Sequence, residues 1–216
     1  MSLISTRNLS PFSNPAALRE LLRSMAMLDA ILCPEWEYRY YSFDAAWSDG
    51  EQMASMRDGE GDDFFAVFNA QGCFFKGFVH DCPVAAADVD PAKHYDALPP
   101  EYSYCILEPA ISPADVTFCL WRGFKDSAWH HNSVRVPNED DDPDGSEYLL
   151  SALDGNPETY REWAEEYYEV SVSLQAVKAI FDQQPLTDEL ISALNPELRL
   201  KLLRDEIREI KYPTQS

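Results

Sequence analysis

Residues 64–79 read FFAVFNAQGCFFKGFV. Phe64 to Phe68 and Cys73 to Val79 are apolar, aromatic runs, and Asn69-Ala70-Gln71-Gly72 between them has turn chemistry. The stretch predicts a β-hairpin with a short loop, in which Gly72 is expected to take a positive φ. Both runs are too apolar for an edge, so the hairpin is expected at the centre of an antiparallel sheet. Two further strands are expected, Trp36 to Phe43 (WEYRYYSF), where aromatic residues alternate with charge, and Val116 to Phe124 (VTFCLWRGF). Tyr102 to Leu107 reads equally well as strand or helix.

Helices flank this sheet in sequence. Asn14-Pro15 is a start signal, because Asn accepts from orphan amides and proline needs no donor at the first helical position. Leu18, Leu21, Leu22, Met25, Leu28 and Leu32 follow at spacings of three and four, and Cys33-Pro34 ends the helix. The start signal recurs at Asn156-Pro157 and Asn195-Pro196, and in weaker form at Asp90-Pro91. Tyr160, Trp163 and Tyr167 share one helical face, as do Leu174, Val177 and Phe181, and then Leu200, Leu203, Ile207 and Ile210. An N-terminal helix, a central antiparallel sheet and C-terminal helices packed on it make one α+β domain over residues 1–216, not alternating βαβ units.

The chain is strongly acidic, with 38 Asp and Glu against 17 Lys and Arg and a formal charge of -21. Two loops are expected to carry most of it, at about 44–63 and 137–156. Asp44 to Asp63 holds seven acids and one base, and Pro137 to Glu166 holds eleven acids and one base. Asn138 to Ser146 is expected to be exposed and mobile through self-repulsion. This charge disfavours phosphate backbones and anionic membranes, and favours basic partners or simple solvation. Eleven Phe, eleven Tyr and five Trp exclude a disordered acidic chain. Five cysteines without a CxxC pair, and no apolar leader in the first dozen residues, point to reduced thiols in a cytoplasm. No apolar run approaches the roughly 20 residues needed to span a bilayer.

Motifs for chemistry are sparse. His80-Asp81-Cys82 holds the ingredients of a Cys-His nucleophile, but shows neither a cationic setting for the thiol nor a third group to orient the base. Asp140, Asp142, Asp144 and Gly145 match the opening half of a calcium loop, yet the position of the closing bidentate Glu is Ser151. Adjacent His130 and His131 point apart, and His94 has no ligand-type partner one turn away, so no metal or cofactor is expected. Gly59-Glu60-Gly61 lies among Asp58, Asp62 and Asp63, which would repel a phosphate. Arg199, Lys201, Arg204, Arg208 and Lys211 alternate with acids, a mixed solvent face rather than a nucleic-acid stripe. Aromatic residues beside carboxylates are what a protein-binding face uses as anchors, and Trp47, between Asp44 and Asp49, is the first candidate.

The stretches EWEYRYYSF, EQMASMRDGEGDDFF and VTFCLWR resemble those of uncharacterised bacterial proteins. The acidic α+β character is also similar to that of immunity proteins that neutralise basic toxins. That likeness is one of class, not of motif, and implies no functional residue. The resulting expectation is a non-catalytic cytoplasmic protein that occludes a basic protein partner through Trp47, Asp58, Asp62 and Asp63. One alternative is a hydrolase using Cys82 with His80, or the carboxylates of the Asp44 to Asp63 loop. Another is a DNA mimic. The oligomeric state stays open.

Overall fold

The computed structural model describes residues 3–87, 89–132, 134, 136 and 141–215. Six antiparallel strands follow one another in chain order: β1 (Tyr41–Ser48), β2 (Glu51–Arg57), β3 (Asp63–Phe68), β4 (Gly72–Phe78), β5 (Phe118–Gly123) and β6 (His130–His131). The hairpin that opens the sequence reading is β3–β4, paired from Asp63↔Phe78 to Phe68↔Cys73 in the middle of this sheet. Asn69 closes its loop, with Oδ1 accepting from the Gln71 and Gly72 amides. Gly72 is needed for a different reason than expected. It is not one of the five glycines at positive φ; instead, a Cβ there would lie 2.1 Å from the Arg122 carbonyl oxygen.

Both sheet faces are covered, which explains why β3 and β4 read as continuous apolar runs instead of alternating. On the inner face Phe43, Met56, Phe64, Phe68, Phe75 and Leu120 pack against the helices. These are α1 (Pro15–Leu32) and, after the short α2 (Pro83–Ala86) and α3 (Ser146–Leu150), α4 (Pro157–Tyr168), α5 (Leu174–Phe181), α6 (Asp188–Leu194) and α7 (Arg204–Ile210). On the outer face Met53, Phe65, Val67, Phe74, Cys119 and Trp121 meet Tyr102, Cys105 and Ile111. The residues that cover them belong to a chain of short 3-10 turns between Pro91 and Ile111. Tyr102 to Leu107 is thus no strand but the end of one 3-10 turn and the whole of the next, Cys105–Leu107, and Asp90-Pro91 opens only one such turn, Pro91–His94. Asn195 caps the end of α6 rather than the start of a new helix, and donates from Nδ2 to the Ile31 carbonyl at 2.9 Å.

Asn14 caps α1 as expected, accepting from the Ala16 and Ala17 amides. The helix buries more than its apolar stripe, because it lies between the sheet and α5, α6 and α7. One buried position is Asp29. Its Oδ2 accepts from the Tyr40 and Tyr41 amides at 3.1 and 2.7 Å, and its Oδ1 accepts from the Tyr160 hydroxyl at 2.6 Å. This single carboxylate ties α1 to the start of β1 and to α4. Lys76 does the equivalent on the outer face. Fully buried, it donates to Asp63 Oδ1 at 2.8 Å and to the Ile111 and Ser112 carbonyls, under the 3-10 layer.

Three expectations need correction. Asp44 to Asp63 is not an acidic loop but most of a β1–β2 hairpin and the start of β3, with Met53, Ala54, Ser55 and Met56 buried. Its acids fall mostly at the turns, so net charge concealed two strands. Trp36 to Phe43 is strand only from Tyr41; Trp36–Tyr38 is a 3-10 turn with no buried residue. Of the loop expected to be mobile, 138–140 lie outside the described residues. From Asp142 onward it is held down: Asp144 accepts from the Thr6 hydroxyl at 2.6 Å, and Ser146 is fully buried. Short α3 (Ser146–Leu150) starts there.

Candidate functional site

The turn between β2 and β3 is built by Asp58. Its Oδ1 accepts from the amides of Glu60, Gly61 and Asp62 at 2.8, 3.0 and 3.0 Å, which fixes a compact loop. Gly61 holds a φ of 127° beneath the His80 ring, a conformation that side-chain-bearing residues rarely adopt. The next residue, Asp62, is nearly buried, and its Oδ1 meets both the His80 amide at 2.9 Å and His80 Nδ1 at 2.7 Å. That hydrogen bond, with the charges of Asp62, Asp81 and Asp58, pushes the His80 pKa up, so the ring is a cation over a wider pH range.

A second loop completes this cleft. Asp142 accepts from the Glu147 and Tyr148 amides at 3.0 Å each, and so sets Tyr148 on the rim. Gly145 permits the approach, since a Cβ there would lie 2.4 Å from Val79. The cleft of about 450 Å³ is lined by Asp58, Glu60, Asp62, Asp81 and Asp142, with His80 and Tyr148.

A groove of about 470 Å³ adjoins it and shares Asp58 and Glu60. One side is the exposed 3-10 turn carrying Trp36, Glu37 and Tyr38; the other is Tyr40 and Tyr167. The Ser42 and Ser55 hydroxyls, 2.7 Å apart, lie in its lining. Tyr167 is fixed by stacking on Trp163, at 5.3 Å between centroids and 18° between planes, and Trp163 packs on Tyr40 at 4.7 Å. Asp29 holds the backbone under Tyr40. Burial pushes the Asp29 carboxyl up from 3.8 to about 6, even though its donors pull the other way.

The residues singled out from sequence do not assemble as one patch. Asp58 and Asp62 meet in the cleft. Asp63 points the other way, to Lys76 beneath the outer layer, because it opens β3 whereas Asp62 still belongs to the turn. Trp47 is half-buried against the outer-face cluster at the far end of the β1–β2 hairpin, roughly 20 Å from Asp58 at strand rise. Sequence reasoning passed over Tyr148 and took Trp36 and Tyr38 for strand residues. The available signal was the Glu-Trp-Glu-Tyr run at 35–38, whose aromatics have acids as neighbours.

Chemical activation is weak here. Cys82 is buried and its thiol is pushed up by burial, the opposite of what a nucleophile needs. All five cysteines are buried and free. Asp142 and Asp144 of the calcium-like run turn their carboxylates to different backbone amides and hydroxyls, and Asp140 lies outside the described residues. Among the described residues no group of three or more His, Cys, Asp or Glu is arranged to hold a metal ion. No described helix is long and apolar enough to cross a membrane. No protein-family model, curated protein or solved structure matches this chain.

Proposed function

We propose that this chain is a non-catalytic binding protein that occludes a basic protein partner, in the manner of an immunity protein. One observation carries the reading: four of the six large exposed aromatic residues among those described, Trp36, Tyr38, Tyr148 and Tyr167, line two adjoining depressions. Those depressions also carry six carboxylates, from Glu37, Asp58, Glu60, Asp62, Asp81 and Asp142, against two guanidiniums and one imidazole. Carboxylates at a rim steer a basic partner and set its register, while exposed rings supply buried area on contact. Occlusion then needs only that this face cover the partner's own site. The binding residues of this reading are Asp58 and Asp62, joined by the four aromatics in place of Trp47.

The hydrolase alternative is less well supported. His80 and Asp62 form a base with its orienting carboxylate, but the neighbouring thiol is buried and its pKa raised. A DNA mimic would hold carboxylates out at phosphate positions, whereas Asp62 and Asp142 turn theirs into backbone amides.

The test is capture from a lysate of the source organism by immobilised protein, at about 0.05 M and about 0.5 M salt, where screening differs severalfold. Expected is a stoichiometric basic partner that is retained at low salt, released at high salt and inhibited while bound. It should be lost from the Trp36→Ala, Tyr148→Ala double variant. A neutral or acidic partner held at high salt, or capture indifferent to both substitutions, refutes the reading.

A further inference from the structure

We propose that the groove between the Trp36–Tyr38 turn and Tyr167 is a subsite for an arginine side chain of the partner. The proposal rests on the partner-binding reading of this face and names the chemistry that it selects. The rings are presented rather than packed: Trp36 is 58% exposed, Tyr38 66% and Tyr167 40%. Tyr167 cannot collapse into the groove, because its ring is stacked on Trp163. The groove is therefore preformed on that side.

The chain's own cations leave these ring faces free. Arg57 and Arg39 both line the groove, but Arg39, between Tyr38 and Tyr40 in sequence, is tied to the backbone and to Glu206. Its guanidinium donates to the Cys33 and Pro34 carbonyls at 2.8 and 2.7 Å and to Glu206 at 3.2 Å. Arg57 lies over the Phe65 ring at 5.1 Å. The four cation–π contacts among the described residues fall on Phe43, Phe65 and Phe78, and none on a groove ring. Aromatic faces with no cation stacked on them, in a groove whose Glu37, Asp58 and Glu60 outnumber its Arg39 and Arg57, complement a positive side chain.

Arginine fits better than lysine for two reasons. A planar guanidinium stacks flat on an indole or phenol ring, and its fork of donors can reach carboxylates while it stacks. Asp58 has the matching acceptor, since its turn amides all bind Oδ1 and leave Oδ2 without a bond among the described residues. An ammonium is a compact, strongly hydrated charge that gains less from the rings.

The probes are the acetylated, amidated tripeptides triarginine and trilysine, titrated into ¹⁵N-labelled protein while the Trp36 indole N–H resonance is followed. Triarginine should shift that resonance and bind about three- to five-fold more tightly than trilysine. Tyr167→Leu should remove the preference at a modest cost in thermal midpoint, since the ring also touches Tyr40, Trp163 and Tyr168, and should leave the rest of the ¹⁵N spectrum folded. Equal affinities for the two peptides, or a preference that survives Tyr167→Leu, overturns the subsite. The capture assay separates the two readings. Partner capture without arginine preference would sink the subsite and leave the face standing, whereas arginine preference without capture would do the reverse.

Discussion

Replacing Asp29 by Asn should stabilise this protein relative to Asp29→Ala by about 3 kcal/mol, and should remove one source of the wild type's stability in acid. Asp29 is fully buried and accepts three hydrogen bonds, from the Tyr40 and Tyr41 amides on Oδ2 and from the Tyr160 hydroxyl on Oδ1. Asp29→Ala orphans three donors at about 1–3 kcal/mol each, offset by about 3 kcal/mol from removing a buried charge, for a net loss of about 3 kcal/mol. Asp29→Asn keeps a carbonyl oxygen for both amides and turns its NH₂ toward Tyr160, whose hydroxyl can accept instead of donate. Its expected cost at neutral pH is within about 1 kcal/mol of zero.

The pH dependence follows from the carboxyl, which is pushed up from 3.8 to about 6 in the fold. The folded state binds this proton more tightly than the unfolded state. The resulting stabilisation is fully present below 3.8 and is lost as pH rises through about 6. Two pKa units correspond to about 3 kcal/mol. Urea unfolding of wild type and Asp29→Asn from about pH 7.5 to pH 4, followed by circular dichroism, cancels the background from every other acid when the two curves are subtracted. The wild type should gain on the variant by about 2.5 kcal/mol by pH 4, the rest of the roughly 3 kcal/mol coming below 3.8. Parallel curves would refute the account, because they would mean that folding leaves this carboxyl unperturbed.

Lys76→Met should cost about 3–5 kcal/mol by leaving Asp63 without its cation beneath the outer layer, and adding Asp63→Leu should recover most of that loss. A double variant no more stable than the single one in urea unfolding would show that the pair is not the reason. The His80 ring should titrate above 6.5 by NMR, and Asp62→Asn should bring it back toward that value; an unchanged midpoint would deny the hydrogen bond its role. Since folding raises this pKa, the pair's contribution to stability is present below 6.5 and fades as pH rises through the folded value.

Local signals in the chain were enough for the elements whose shape depends on near neighbours. The β3–β4 hairpin follows from two apolar runs and a four-residue turn, and α1 from Asn14-Pro15 and leucines spaced along one face. Expectation failed where distant segments decide. Asp44 to Asp63 is a different failure: its strands pair with chain neighbours, and a count of acids passed over Met53, Ala54 and Met56, which carry that local pairing. Lys76 looks like a surface lysine until the carbonyls of Ile111 and Ser112, more than thirty residues later, enclose it. The acidity and the richness in aromatics were readable from composition. Which aromatics stay exposed was settled by tertiary packing. Trp47 is laid against the outer cluster, whereas the Asp142 carboxylate sets Tyr148 on the rim from six residues away. Asp62 and Asp63, adjacent and identical, were parted where the Asp58 turn gives way to β3: one closes the turn and meets His80 beyond the next strand, the other opens the strand and meets a buried lysine.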